Sequence, residues 1–235
     1  DFLKAYPGYV QTRLLDEWRN TEYRRLDLKQ HVYLDYTGGG LYGASQLSQH
    51  LEMLNNSVLG NPHSGNLTSQ AMTDLVEETR RYILSYFNAN PDEYIANFTA
   101  NASGALKLFG ESYPFNAGSQ FALTYDNHNS VNGIREFASS KDAKVQNIPL
   151  TSPDLRLDQN EVNEVLDTAD GSQQNLFAFP AQSNFSGVQH SLGWIARAQD
   201  KGWDVLLDAA VFVPTNHLNL TIVKPHFVCI SFYKM

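Results

Sequence analysis

The sequence predicts an α/β protein of three layers, in which a mostly parallel sheet is flanked by helices. Short apolar runs alternate along the chain with longer segments whose apolar residues recur at helical spacing. The short runs are apolar on both faces, which is typical of strands that helices cover on either side. A length of 235 residues with 42% hydrophobic residues is sufficient for one large core.

The elements follow one another mainly as strand and then helix. The predicted strands are 32–35, 94–98, 120–124, 175–179, 204–207 and 227–231. The predicted helices are 9–22, 47–58, 68–87, 105–109, 131–137 and 194–196, of which 68–87 has the clearest apolar face. We assign residues 1–30 to an N-terminal helical segment and 31–235 to one large domain.

Composition excludes several classes of protein. The net charge of −8 leaves no broad basic surface, so nucleic acid is not expected as a partner. No apolar stretch is long enough to cross a membrane. The single cysteine, Cys229, cannot form an internal disulfide, which favours a reducing compartment and a cytoplasmic location.

Ligands of doubly wound sheets bind beyond the carboxyl ends of the strands, so the residues after each strand are the candidates for a site. The segment 38–43 satisfies the G-x-G-x-x-G spacing of a dinucleotide fingerprint. The acidic residue expected about 20 positions later is missing, because 60–66 is a loop without Asp or Glu. A flexible glycine-rich turn is therefore the favoured interpretation.

A run of small residues, 99–104, lies between a predicted strand and a predicted helix. Backbone N–H groups at a helix N-terminus, together with Ala102 and the hydroxyl of Ser103, would make a cradle for phosphate. Small residues and serine are also common at helix N-caps. This run alone therefore does not distinguish a phosphate site from an ordinary helix cap.

Two charged residues follow consecutive predicted strands near the end of the chain. Asp208 ends the strand 204–207, and Lys234 follows 227–231. A lysine that forms a Schiff base and a carboxylate that keeps a pyridine nitrogen protonated are the pair that pyridoxal 5'-phosphate (PLP) requires. The plain alternatives are a surface lysine and a carboxylate that caps a turn.

Other side chains suited to PLP follow neighbouring strands. His128 offers a planar ring for stacking, Asn184 an amide for the ring oxygen, and Ser231 a hydroxyl for the phosphate. Ala210 follows Asp208 closely at the same strand end. Asn61 and His63 occupy an Asn-Pro-His-Ser loop and are weaker candidates for the substrate side.

Several blocks of sequence resemble a known family. The chain from about residue 32 onward is similar to the N-terminal domain of the molybdenum cofactor sulfurases, which belong with the class V aminotransferases and cysteine desulfurases of PLP fold type I. The most specific blocks are Pro-Ala-Gln-Ser-Asn-Phe-Ser-Gly at 180–187 and Ser-Phe-Tyr-Lys at 231–234. Further blocks are at 60–64, 98–100, 106–108 and 206–210.

The resemblance implies a role for each matched residue. Lys234 and His128 would be catalytic, Lys234 by carrying the cofactor and His128 by stacking on it. Asp208, with Ala210 beside it, would bind the pyridine side, and Asn184 the phenolic oxygen. The phosphate would be bound by Ala102, Ser103 and Ser231.

The resemblance also implies a reaction. Sulfur would be taken from L-cysteine or a related amino acid, leaving alanine and an enzyme persulfide, and would pass to the molybdenum cofactor. Relatives of this type commonly form homodimers. They continue past the lysine into a small C-terminal domain that carries the persulfide cysteine and an arginine for the substrate carboxylate. We therefore expect residues 31–235 to be an incomplete large domain and Cys229 to be a buried structural thiol.

Some positions depart from the family pattern and leave alternatives open. The segment 35–38 is Asp-Tyr-Thr-Gly where relatives have Asp-His-Ala-Gly, and Val211 stands where desulfurases often have glutamine. These departures bear on the substrate and acceptor more than on the cofactor. An aminotransferase, a carbon-sulfur lyase and a non-catalytic remnant of the fold remain as alternatives.

Overall fold

The computed structural model describes all 235 residues, which divide into two compact units, Asp1–Glu77 and Glu78–Met235. The first unit contains helices only, and the second contains every strand. The boundary that the sequence predicts at residues 30–31 is a different division and stays a prediction.

The first unit consists of short helices joined by turns. Its helices are α1 (Phe2–Ala5), α2 (Arg13–Thr21), α3 (Arg25–Leu28), α4 (Ala44–Asn56) and the first part of α5 (Leu67–Tyr86), with a 3-10 helix at Pro7–Thr12. The predicted helix 9–22 is thus α-helical only in its second half. Gly8 has a low helix propensity, which is consistent with a 3-10 helix in place of an α-helix at Pro7–Thr12.

The strand predicted at 32–35 was wrong. Val32 is 80% and Leu34 84% exposed, and neither pairs with another strand. Apolar and aromatic residues favour a strand only where a neighbouring strand takes up their backbone hydrogen bonds, and none does so here.

A five-stranded parallel sheet forms the centre of the second unit. Its strands, in spatial order, are β2 (Lys144–Ile148), β1 (Gln120–Thr124), β5 (Asn175–Pro180), β6 (Trp203–Asp208) and β7 (Phe227–Cys229). A small antiparallel pair, β3 (Leu150–Thr151) and β4 (Arg156–Leu157), lies outside it. All five strands are parallel, so their carboxyl ends share one edge of the sheet, and the strand order reverses next to β1.

Helices connect these strands. They are α6 (Ala102–Ser112), α7 (Asn129–Asn132), α8 (Ile134–Ser139), α9 (Gln159–Leu166) and α10 (Gly193–Gln199), and a 3-10 helix at Phe232–Lys234 follows β7. Buried side chains form one cluster on each face of the sheet: Leu206 contributes to one and Leu207 to the other. Apolar cores on both faces confirm the predicted three-layer α/β architecture.

The structure corrects the sequence prediction at further places in this unit, and it contains β3, β4 and α9, which were not predicted. Residues 94–98 form no strand, since no strand pairs with them and Ile95 is 80% exposed. The sequence prediction missed β2, because its residues Lys144, Gln146 and Asn147 are polar and hide the apolar pattern. No small domain follows β7 within the 235 residues, and none of the ten α-helices is long and apolar enough to cross a bilayer.

Candidate functional site

Asp208 and Lys234 lie at the same edge of the sheet because β6 and β7 are parallel neighbours. In their register Asp208 stands beside Cys229, the last residue of β7. Lys234 follows five residues later, at the end of the short 3-10 helix. The sequence could suggest this pairing only on the condition that the two strands were adjacent, and they are.

The carboxylate of Asp208 is buried, with the residue 9% exposed. Its Oδ1 accepts a hydrogen bond of 3.0 Å from the backbone N–H of Ala210, and its Oδ2 makes no hydrogen bond within the chain. Burial raises the pKa of Asp208, while the Ala210 N–H and the positive charges of His128 and Lys234 act in the opposite direction. Asp208 is therefore a carboxylate with one oxygen free for a cationic or N–H partner.

Lys234 is held by a side chain from a third strand end. Its Nζ donates a hydrogen bond of 3.0 Å to Oδ1 of Asn184, which lies in the loop after β5. Because β5 is next to β6, the loops that carry Asn184, Asp208 and Lys234 are consecutive along the sheet edge. The lysine amine is thus oriented by an amide without being neutralised by a carboxylate.

The loop after β1 brings His128 to the same edge. His128 is the N-cap of α7, and its Nδ1 accepts a hydrogen bond from the backbone N–H of Ser130 at 3.2 Å. Oγ of Ser130 is also 3.0 Å from Nδ1. The imidazole is therefore fixed through one nitrogen and keeps Nε2 free.

The N-terminus of α6 provides unpaired amides. Asn101 caps the helix by accepting a hydrogen bond from the N–H of Gly104 at 2.8 Å. The N–H groups of Ala102 and Ser103 make no hydrogen bond within the chain, as is usual in a first helical turn. Oγ of Ser103 is 2.5 Å from Oγ of Ser130, so the helix start and the His128 loop are joined.

Ser231 and Cys229 lie between these groups and the core. Ser231 is 4% exposed and begins the turn that carries Lys234, whose N–H donates to the Ser231 carbonyl at 3.1 Å. Cys229 is 4% exposed, as expected of a buried thiol, and its Sγ contacts the carbonyl of Ala102 at 3.6 Å. Burial, with a further contribution from Asp208, raises the pKa of Cys229 to about 12.

Asn61 and His63 belong to the first unit, and both are exposed. His63 has a positive φ of 71°, and its N–H donates a hydrogen bond of 3.1 Å to Oγ1 of Thr73. Their predicted role on the substrate side stays a prediction.

Three polar residues connect the site and have no role assigned to them from the sequence: Asp126, Ser130 and His190. Ser130 could have been found, because serine two positions after His128 is a common capping pattern. Asp126 and His190 carry no comparable signal. Nε2 of His190 is 2.7 Å from Oδ2 of Asp126, and their side chains are 2% and 1% exposed.

A separate apolar cavity of about 710 Å³ lies beside the site. Its walls are residues 94–102, part of α6 and the outer edge of β7. It touches Ala102 and Ser231 but not Asp208, His128, Asn184 or Lys234. The cavity therefore adjoins the polar site at Ala102 and Ser231 and does not include the side chains of its other members.

Comparison with known proteins gives the family. Residues 32–235 match the family model described as aminotransferase class-V. The chain belongs to this family. The match includes all five strands of the parallel sheet and every candidate site residue named above.

Several curated relatives of this chain are named as molybdenum cofactor sulfurases. The molybdenum cofactor sulfurase of Solanum lycopersicum is 39% identical over 268 residues, covering 100% of this chain and 32% of the relative. The human molybdenum cofactor sulfurase is 37% identical and covers 94% of this chain and 26% of the relative. The chain thus spans about a third or less of these curated relatives.

Solved structures support the same fold. The apo cysteine desulfurase from Thermococcus onnurineus NA1 has a TM-score of 0.79 at 22% identity, covering 93% of this chain and 53% of that one. At this identity the likeness shows the fold of the class-V family member and not its reaction.

Proposed function

We propose that this chain is the cofactor-binding part of a PLP-dependent, cysteine desulfurase-like sulfurtransferase that supplies sulfur to the molybdenum cofactor. The observation that carries the proposal is the position of Asp208 and Lys234 at the carboxyl ends of two neighbouring strands. The names of the two sulfurase relatives support the same function. The proposed location is the cytoplasm, and the proposed assembly is a homodimer.

The residues at the strand ends have the chemistry that PLP needs. The free Oδ2 of Asp208 suits a protonated ring nitrogen, which would also balance a buried negative charge. The unpaired amides of Ala102 and Ser103, at the positive end of an eleven-residue helix, suit a phosphate dianion. Ser231 follows Cys229 by two residues, and Sγ of Cys229 contacts the carbonyl of Ala102 at this helix start, while the N–H of Ala210 holds Asp208 in place.

When bound, PLP would supply an electron sink for the α-carbon of an amino acid. Lys234 would carry the cofactor and, once its Nζ is released, move the proton between the α-carbon and the neighbouring positions. Asp208 would keep a proton on the ring nitrogen. His128, fixed through Nδ1, would present its ring face to the cofactor, and Asn184 would orient the amine and reach the phenolic oxygen.

Sulfur transfer requires a nucleophilic thiolate, and Cys229 is not suited to that role. Its pKa of about 12 leaves almost no thiolate at neutral pH, and the residue is buried. The acceptor cysteine would therefore come from outside these 235 residues. Its thiolate would attack the sulfur of L-cysteine, forming an S–S bond as the Cβ–S bond breaks, and a proton added at Cβ would give alanine.

The first test is cofactor binding by the full-length protein. Purified protein should show the yellow absorbance of lysine-bound PLP, and Lys234→Ala should lose it. Lys224→Ala is the matched control, because Lys224 pairs with Glu93 on the surface at 2.8 Å and should leave the absorbance unchanged. A colourless wild type to which no added PLP binds would leave only a non-catalytic remnant of the fold.

The second test separates the PLP reactions. With L-cysteine as substrate, equal amounts of alanine and enzyme-bound sulfur are expected, followed by sulfuration of the molybdenum cofactor. Transamination without sulfur release would indicate an aminotransferase. Pyruvate and free sulfide in place of alanine would indicate a carbon-sulfur lyase.

A further inference from the structure

The buried side chain of Asp126 connects the two loops that carry His128 and Asn184. Oδ2 of Asp126 accepts a hydrogen bond of 2.7 Å from His190, and Oδ1 accepts one of 2.8 Å from Thr124. Since an ionised carboxylate can only accept, Nε2 of His190 carries the hydrogen. Asp126 lies two residues before His128, while His190 ends the loop that begins after β5.

Asp126 also interacts with Ser183, the residue next to Asn184. The Ser183 side chain contributes to lowering the pKa of Asp126, and Ser183 is completely buried. Oγ of Ser183 accepts from the N–H groups of Phe185 and Ser186, both at 3.3 Å, which closes the loop around Asn184. Asp126 thus interacts with this loop near its beginning, at Ser183, and is hydrogen-bonded to it near its end, at His190.

The charge of Asp126 is retained despite its burial. Burial alone would raise the pKa of Asp126, but the hydrogen bond and charge of His190, with the Thr124 hydroxyl and the Ser183 side chain, hold that pKa below its ordinary value. A carboxylate at less than one-tenth exposure that accepts hydrogen bonds from both His190 and Thr124 is a rigid junction, because breaking either bond leaves a buried charge less well compensated.

Asn127 fixes the same loop to the sheet from the other side. Its Nδ2 donates to the carbonyl of Ala178 in β5 and to that of Thr124, each at 3.0 Å. The backbone between Asp126 and His128 therefore has little freedom, and displacement of Asp126 would be transmitted to the imidazole.

We propose that Asp126, with His190 and Ser183, is a positioning residue that sets the relative placement of His128 and Asn184 and, through Asn184, of the Lys234 amine. This inference rests on the proposed PLP function and deepens it. None of the three residues needs to touch the cofactor. They hold His128 and Asn184, which follow different strands, in one arrangement before any ligand binds. Residues that contact the ligand-binding residues, and not the ligand, contribute to a site in this way.

The first experiment measures how readily the two loops open in the absence of the cofactor. Amide hydrogen exchange is measured on the full-length, PLP-free protein for wild type, Asp126→Asn and Ser183→Ala. Exchange should rise in both 125–128 and 182–190 in Asp126→Asn, and by a smaller amount in Ser183→Ala, which removes only the interaction of Ser183 with Asp126 and leaves the bonds from His190 and Thr124. Faster exchange in only one of these loops, or in neither, would overturn the proposal.

Tyr113→Phe is the matched control. Its hydroxyl is buried and shares its one hydrogen between Oδ2 of Asp204 at 2.8 Å and the carbonyl of Asn175 at 3.0 Å, both at the amino ends of their strands. Tyr113→Phe should lower stability without changing exchange in 125–128 or 182–190. Equal changes in the control would mean that the Asp126 effect reports general destabilisation.

The second experiment is a double-mutant cycle on PLP affinity, measured by absorbance titration. Asp126→Asn should weaken binding about tenfold, the size expected for one hydrogen bond to a buried charge. If Asp126 acts through Asn184, the double variant Asp126→Asn/Asn184→Ala should bind about as weakly as the weaker single variant. Effects that multiply would show that Asp126 does not act through Asn184.

The two experiments distinguish failure of the proposed function from failure of the positioning role. Wild type that does not bind PLP contradicts the proposed function, while the exchange experiment still decides whether Asp126 couples the loops. Normal PLP binding with unchanged exchange in Asp126→Asn contradicts the positioning role and leaves the proposed function standing.

Discussion

The amine of Lys234 donates a hydrogen bond of 3.0 Å to the side-chain amide of Asn184, which reaches it from the loop after β5. The two residues are fifty positions apart in sequence, and the parallel order of β5, β6 and β7 brings them together. A lysine held in this way is oriented before a ligand arrives, which reduces the conformational entropy lost on binding.

Asn184→Ala should therefore both slow cofactor loading and weaken the final complex. Lys234 then samples several rotamers, so we expect PLP to associate with the cofactor-free protein several times more slowly. Stopped-flow absorbance after mixing with PLP measures the rate. Phe185→Ala, at an 87% exposed neighbour in the same loop, is the control and should load at the wild-type rate.

Asp208→Asn should stabilise the cofactor-free protein while it weakens PLP binding. Because burial raises the pKa of Asp208, the folded protein holds its proton more tightly than the unfolded chain. The associated stability is present at low pH and is lost as pH rises through the folded pKa. At neutral pH the variant avoids burying a charge, and we expect a gain of about 1 kcal/mol in the free energy of unfolding.

Urea denaturation of the cofactor-free protein at several pH values measures this gain. It should shrink as the pH falls, because the wild-type carboxyl then becomes protonated. Oδ1 of the asparagine can still accept from Ala210, so loss of that bond does not obscure the result. A variant that is less stable at neutral pH would show that Asp208 is already well compensated.

Asn101→Ala should affect both stability and phosphate binding. It removes the N-cap of α6, which typically costs about 1 kcal/mol. Asp158→Ala is the matched control, because Asp158 caps α9, away from the site, by accepting from the N–H groups of Asn160 and Glu161. Both variants should lower stability by a similar amount, while only Asn101→Ala should weaken PLP binding. Equal PLP affinity in the two would argue against a phosphate site at α6.

Cys229 should be unreactive in the folded protein. With its pKa raised to about 12, alkylation at pH 8 should be at least about a hundredfold slower than in urea, since only the thiolate reacts. Peptide mass spectrometry after timed alkylation of the full-length protein measures this. Cys229→Ala should still form the persulfide, and its failure to do so in a folded, PLP-loaded protein would make Cys229 the acceptor.

Local sequence patterns predicted several strands and helices of the second unit and the residues worth testing. Apolar periodicity is a local property, so α5 and strands such as β5 and β6 could be read from neighbouring residues alone. It failed at 32–35 and 94–98, where the composition favours a strand but no partner strand is present, and at β2, where polar residues join a strand because β1 lies beside them.

Which strand ends are neighbours, and which side chains connect them, depends on the tertiary structure. The sequence placed Asp208 and Lys234 at strand ends, but their proximity depends on the pairing of β6 with β7. The contact of Asp126 with His190 spans sixty-four positions and has no local pattern. Such contacts depend on the packing of whole elements, because a hydrogen bond between distant residues forms only where the fold excludes water and brings both groups within reach.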